Sequence, residues 1–248
     1  AAGSEMSNSA VLSDLSISKK KGCGSQFNRC KFAILNPELT YTVSKYQTAC
    51  GIVDMMTHTL ERYFTVLPDT ELTDSVAEAI LKSIVKAGLV IIDNPTDYDA
   101  RATLMWGSSL AHNGLTSCGR ENYLAVHQLE HAISGVFDEV AHGAGLAVLY
   151  PAWAKFIYKH NVKRFARLAR NVWDVVEDND EICALKGIEK MQEFFIKIGM
   201  PTRLKDFNID ETSIPKFVEI STANGTRTVK SYIPLGEVEI TQIFKNCL

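Results

Sequence analysis

The sequence predicts a mainly α protein: an all-helical, bundle-like body preceded by a small β-hairpin. Two observations predict it. From about Ser44 onward, apolar residues recur at intervals of three and four. Ahead of that point lie only short β-type runs, Ala10-Val11-Leu12 and Lys31-Phe32-Ala33-Ile34-Leu35. The division is placed at residues 1–43 and 44–248.

In the first part, the two β-type runs are expected to pair as a hairpin with a long loop. That loop is polar and basic, with Lys19, Lys20, Lys21, Gly22 and Gly24. The lysines read as a solvated turn or as an anion contact, for example with a cofactor phosphate. Pro37 ends the second strand. The first long helix then runs through KYQTACGIVDMMTHTLERYFT, where Ala49, Ile52, Val53, Met56, Leu60 and Phe64 make one stripe. Further helices follow at about 72–92, 97–116, 122–136, 143–158, 160–176, 181–199, 213–222 and 235–247. Asn94-Pro95 and Pro201 stop two of them, and Thr70 and Thr73 are candidate caps for the helix at 72–92. About eight helices with short connections are expected to bury one continuous core.

Composition narrows the function. The chain has 248 residues and a net charge of −3, which gives no reason to expect nucleic acid or an anionic membrane as partner. No apolar run reaches the roughly 18 residues of a membrane span, and there is no signal peptide pattern. The six cysteines form no CxxC pair, so free thiols in a reducing cytoplasm are expected, with Cys50 and Cys118 buried. The opening AAGSEMSNSA has no initiator Met and reads as part of something longer, a fragment or processed product.

The histidines carry the chemistry. His127 and His131 are four apart and share a helix face, and His142 follows in AHGAG where a new helix starts. Val126, Leu129, Ala132 and Ile133 flank them, so that face is partly buried and the imidazoles need partners. Asp54 and His58, also four apart, sit beside Val53, Met55, Met56 and Leu60. Asp54, His58, His127 and His142 would offer three neutral nitrogens and one anionic oxygen, a set suited to Fe(II) or Zn(II). Such a Lewis acid polarises a carbonyl or acidifies a hydroxyl, the requirement of alcohol–aldehyde interconversion. Two other readings stand beside it. His127-Gln128-Leu129-Glu130-His131 matches HxxEH, the zinc peptidase pattern, with Glu130 as general base. The histidines could also be structural, in a non-catalytic helical interaction module.

With those residues in view, the chain resembles the iron-containing (group III) alcohol dehydrogenases, in particular the butanol dehydrogenase-like branch. The resemblance runs through nearly all 248 residues. Its segments are AAGSEMSNSAV, FAILNPELTYT, GIVDMMTHTLERYFT, RATLMWGSSLAHNGL, VHQLEHAISGVFDEVAHGAGLAVLYPAW and IPLGEVEITQIF. The combination of GxxDxxxHxxE, HxxxH and a later HG is its specific signature.

The resemblance implies a dehydroquinate synthase-like/iron alcohol dehydrogenase fold, in which a nucleotide-binding α/β domain precedes a helical metal domain. Residues 1–43 would be a hairpin remnant of the former and 44–248 the latter, and the chain alone is expected to be inactive. It implies NAD or NADP as cofactor, a small alcohol or aldehyde as substrate, and a homodimer in full-length form. It places metal ligands at Asp54, His58, His127 and His142, and an unligated histidine near the nicotinamide at His131. Ser4 and Ser7 match positions near the cofactor, Lys20 the lysine reaching its ribose, and Leu39 and Thr42 residues lining the same cleft. Two departures stand out. Asn36 replaces the family's Asp, which removes a charge and puts a cap in question. His127 and His142 are 15 apart, one more than in several relatives.

Overall fold

A computed structural model describes residues 2–14, 19–67 and 70–248. Strands β1 (Ser9–Asp14) and β2 (Lys19–Gly24) pair antiparallel, with Ser9 opposite Gly24 and Asp14 opposite Lys19. The hairpin is therefore present, but its second strand is the basic stretch expected to be loop. Residues 31–35 form no strand, and Phe32 and Ile34 stand 81% and 86% exposed. The reason is physical. This two-stranded ribbon lies on the surface and is held by its backbone ladder, so apolar alternation does not mark its strands. Residues 31–35 pair with no strand among the described residues.

Pro37 begins a structure rather than ending one. A 3-10 turn spans Pro37–Thr40, and Asn36 Oδ1 accepts the Glu38 N–H at 3.0 Å. Asn therefore keeps the cap without the charge. Nine α-helices follow among the described residues: α1 (Lys45–Tyr63), α2 (Glu71–Asp93), α3 (Tyr98–His112), α4 (Ala125–Val136), α5 (His142–Ile157), α6 (Val162–Trp173), α7 (Asp180–Lys197), α8 (Ile214–Ser221) and α9 (Glu237–Lys245). Their starts follow local chemistry. Ser44, Asp97, Asn161 and Asn179 each accept an N–H from the first turn of their helix. Thr70 sits at the N-cap of α2 but does not cap it. Its hydroxyl accepts from Arg120 instead, and Thr73 donates to the Cys118 carbonyl. α3 stops at His112, short of the expected 116, and the chain turns through Gly114 with φ 93°.

α1 is the axis of the body. Every position from Ile52 to Tyr63 is buried, polar ones included. α5 crosses it at Gly143, where a Cβ would come within 2.2 Å of the Cys50 carbonyl oxygen. Only glycine permits that approach, and it brings the first residue of α5 against the middle of α1. Around this crossing one apolar core runs from Ala49 to Cys247. Cys50 is buried as expected, but Cys118 is exposed and the other buried thiols are Cys183 and Cys247. Cys118 lies in the turn-rich connection after α3, where the neighbouring Thr116 is buried and the Cys118 side chain faces outward. No described helix is long and apolar enough to cross a membrane.

Away from that crossing, one ionic cluster locks three helices. Asp74, fully buried on α2, accepts from Arg164 Nη1 and Nη2 of α6 at 3.1 and 2.7 Å and pairs with Arg120. Arg164 Nε donates to the Tyr63 carbonyl at the end of α1, and its guanidinium lies 4.0 Å from the centre of the Tyr63 ring. Replacing Asp74 with Asn leaves two buried guanidiniums short of one charge. Chemical denaturation of Asp74→Asn is expected to show a loss of about 3–5 kcal/mol. A loss under about 1 kcal/mol, the scale of a surface pair, would mean that the cluster does not lock these helices.

Candidate metal centre

Three helices deliver the imidazoles. α1 carries Asp54 and His58 one turn apart, α4 carries His127 in its first turn, and His142 is the first residue of α5. All three side chains converge on Asp54 Oδ1: His127 Nε2 lies 3.4 Å away, His58 Nε2 3.6 Å and His142 Nε2 3.8 Å. One ligand atom each from Asp54, His127 and His142 lie within 4.8 Å of one another. Asp54, His58 and His127 are buried and His142 is half-buried. The other carboxylate oxygen, Oδ2, accepts the Ala2 N–H at 3.1 Å.

Buried polar atoms normally find hydrogen-bond partners. Here Asp54 Oδ1 and His127 Nε2 find none, and neither does His58 Nδ1. The separations at Oδ1 are too long for good hydrogen bonds, yet short enough for one ion to sit among them. One divalent cation would satisfy the Asp54 and His127 atoms together, so the residues present fit a metal of the Fe(II) or Zn(II) kind.

The rings are held from behind by carboxylates. His127 Nδ1 meets Glu61, the fully enclosed glutamate one turn beyond His58 on α1. The same carboxylate accepts the Val126 and His127 N–H groups at 2.6 and 3.3 Å. α4 has no side-chain cap of its own, and its N-cap residue Leu124 is left-handed with φ 46°. Glu61 therefore caps α4 from another helix and fixes the His127 tautomer with one group. His142 Nδ1 meets Glu130, which is wholly buried on α4. Gly145 makes room for it, since a Cβ there would stand 2.8 Å from Glu130 Oε1. In both rings Nδ1 is engaged and Nε2 faces Asp54.

Burial opposes charge on Asp54, but His58, His142 and His127 outweigh it and hold the carboxyl well below the usual range. Burial drives His58 well below the normal imidazole value. On His127 burial also acts against the charge, yet Glu61 and then Asp54 push it up to about 9. Burial brings His131 and His112 down to about 4. Glu130 is lowered because His142 outweighs its burial.

His131 stands half-buried beside the centre, its ring 5.6 Å from that of His142. Lys20 Nζ donates to Ser134 Oγ at 2.9 Å, three residues beyond His131 on α4. Ser4 and Thr42 are exposed, Leu39 is 76% exposed, and Ser7 is buried with its Oγ accepting the Ser9 N–H. Of these five, Lys20 reaches the helix that carries the histidines. Glu130 does not face an open metal position, as a peptidase base must, but lies under His142.

Sequence reasoning left Glu61 without a role, although it is the last letter of GxxDxxxHxxE. It also missed His112, whose ring lies 4.1 Å from that of His58 and whose Nδ1 is 3.3 Å from Arg62 Nη2.

A helical body with imidazoles gathered on one buried carboxylate and backed by glutamates has the side chains that could hold a metal ion. Comparison specifies it. Residues 48–248 match the Fe-containing alcohol dehydrogenase family, C-terminal. The chain is 38% identical over 248 residues to NADH-dependent butanol dehydrogenase A of Clostridium acetobutylicum, covering 99% of this chain and 63% of that protein. It is 34% identical over 222 residues to NADPH-dependent aldehyde reductase YqhD of Escherichia coli, covering 88% of this chain and 56% of that one. The crystal structure of NADH-dependent butanol dehydrogenase A from Thermotoga maritima superposes with a TM-score of 0.94 at 33% identity, over 100% of this chain and 63% of that one. The chain belongs to the Fe-containing alcohol dehydrogenase family, and it spans under two thirds of the length of these relatives.

Two outcomes follow from the supporting carboxylates. Glu61→Gln is expected to weaken Zn(II) binding by about 10–100-fold, measured by chelator competition; unchanged affinity would remove Glu61 from the centre. A raised His127 also means that metal must displace a proton. Zinc affinity is therefore expected to rise about tenfold per pH unit between roughly pH 7 and 9, and a flat profile would show His127 already neutral. The metal-free fold runs the other way. The raised value stabilises it fully below pH 6.5, and that contribution is lost as pH climbs through about 9.

Proposed function

We propose that this chain is the metal-holding part of a nicotinamide-linked enzyme that interconverts primary alcohols and aldehydes. The observation that carries the reading is the convergence of three imidazoles on a buried, unpartnered Asp54 Oδ1, backed by Glu61 and Glu130. Asp54, His58, His127 and His142 are the residues that would hold the metal. The ion would act as a Lewis acid on the substrate oxygen. One anionic ligand among three neutral ones leaves the centre net positive, as that role requires.

The remaining steps belong to the protein's own groups. Glu61 and Glu130 hold the His127 and His142 rings so that Nε2 of each faces the centre. His131, neutral at pH 7 and half-buried, takes at an imidazole nitrogen the proton that leaves a hydroxyl and passes it to solvent. Lys20 is the residue we assign to the cofactor ribose, with Ser4, Ser7, Leu39 and Thr42 around the same cofactor. NADH is named for the butanol dehydrogenases and NADPH for the aldehyde reductase, so both cofactors enter the test. We assign the complete enzyme to the cytoplasm as a homodimer.

The test joins this chain to the part of the Clostridium butanol dehydrogenase A that lies outside the match, loads it with Fe(II) or Zn(II), and follows NADH or NADPH oxidation with butanal. Aldehyde-dependent turnover is expected. His127→Ala is expected to abolish both metal content and turnover, whereas His131→Ala keeps the metal and loses rate. A folded, metal-loaded fusion with no aldehyde-dependent turnover would reject the reading. Metal loss in both variants, with peptide hydrolysis by the parent, would return the site to the peptidase class.

A further inference from the structure

The three imidazoles around Asp54 Oδ1 are not held alike. His127 and His142 each have a glutamate at Nδ1. His58 has none: its Nε2 lies 3.6 Å from Asp54 Oδ1, and its Nδ1 is buried without a hydrogen-bond partner. A ring with no hydrogen bond behind it keeps its orientation only through packing. Two other imidazoles pack on His58. The His127 ring lies 4.6 Å away at an interplanar angle of 14°, and the His112 ring 4.1 Å away at 31°. His127 already faces Asp54 with its own Nε2. His112 has no part in the centre described above, yet its ring is the nearer of the two.

His112 is itself fixed. Its Nδ1 lies 3.3 Å from Arg62 Nη2. A guanidinium only donates, so Nδ1 is the acceptor and the ring proton sits on Nε2. Arg62 also donates through Nη1 to the His58 carbonyl at 2.7 Å and to the Ala111 carbonyl at 3.0 Å. One buried guanidinium thus ties the backbone of His58 to the ring that packs on its side chain. Gly3 is seated against the same residue, since a Cβ there would come within 2.8 Å of His112 Cβ. We propose that His112 is a positioning residue of the metal centre. Stacked on His58 and held by Arg62, it does for that ring what Glu61 and Glu130 do for the other two. The ring face carries the effect, because stacking fixes the plane of a ring that no hydrogen bond orients. The proposal rests on the reading of His58 as a metal ligand, and the parent's own metal binding separates the two.

The exposed thiols Cys23, Cys30 and Cys118 are first changed to Ser so that they cannot bind metal. Zn(II) and Co(II) are then titrated into the whole protein against a chelator, and the visible absorption bands of bound Co(II) are recorded. His112→Ala is expected to weaken both ions by about 10–100-fold and to shift the Co(II) bands. His112→Phe keeps a ring on His58 but offers Arg62 no acceptor; it is expected to restore the parent's affinity and bands. His112→Asn offers an acceptor but no ring, and is expected to behave like His112→Ala. The Phe and Asn variants decide the matter even if the Ala variant does not fold. Parent-like affinity and bands in both His112→Ala and His112→Asn, with metal bound by the parent, would overturn the positioning role alone. Restoration by Asn and not by Phe would overturn it in favour of the Arg62 hydrogen bond. A lower melting temperature in the metal-free variants with unmoved Co(II) bands would reduce His112 to a packing residue. No bound metal in the parent would remove the centre and this role with it.

Discussion

A carboxylate taken out of water stays charged only if its surroundings replace the water, and Asp54 is the place where this protein meets that demand. It sits in the middle of α1, within a run from Ile52 to Tyr63 that is buried throughout, with three imidazole nitrogens at 3.4–3.8 Å from one oxygen and a peptide N–H on the other. The imidazoles outweigh the burial and keep it ionised. Much of the architecture is arranged to bring those partners in. α5 must touch α1 for His142 to arrive, and Gly143 is what lets the two backbones meet. α4 must begin beside His58, and Glu61 of α1 anchors its first turn.

Fold and site are therefore not separable at Glu61. A helix start that lacks its own cap, preceded by a leucine in a left-handed conformation, costs free energy that some other contact has to offset. The offset comes from the same carboxylate that orients His127. The Asp74 cluster makes the contrast clear. It ties α2, α6 and the end of α1 together through buried charge, yet it consists only of side chains and carbonyls that satisfy one another. At Asp74 the ionic partners are complete. At Asp54 one carboxylate oxygen has no hydrogen-bond partner.

The helices were legible because burial and periodicity agree along most of the chain, and the histidine pairs were legible because a four-residue step stacks them on one face. The hairpin's second strand was not, because a surface ribbon carries no apolar pattern and Lys19–Gly24 reads as a turn. Cys118 was misjudged because burial of a thiol depends on what covers its loop, which local sequence does not record. Asp54, His58, His127 and His142 stand out as candidates by residue type and spacing, and their side chains gather around Asp54 Oδ1. Glu61 and Glu130 could not be given their roles, because a supporting carboxylate is defined by the far nitrogen of a ring on another helix, 66 and 12 residues away in the chain. His112 was missed for the same reason, since its neighbour His58 lies on a different helix.

One contact at the centre is invisible to comparison by side chain. Asp54 Oδ2 is held by the peptide N–H of Ala2, and every amino acid except proline supplies that group. The contact itself would survive a change of side chain at position 2, although the Ala2 methyl also packs against the core. The dependence lies in the path of the backbone around Gly3, whose left-handed turn packs against the Ser108 carbonyl so closely that a Cβ would come within 2.3 Å of it. A backbone amide at one residue and a missing side chain at the next thus serve a single requirement, that the chain present its N–H to the carboxylate.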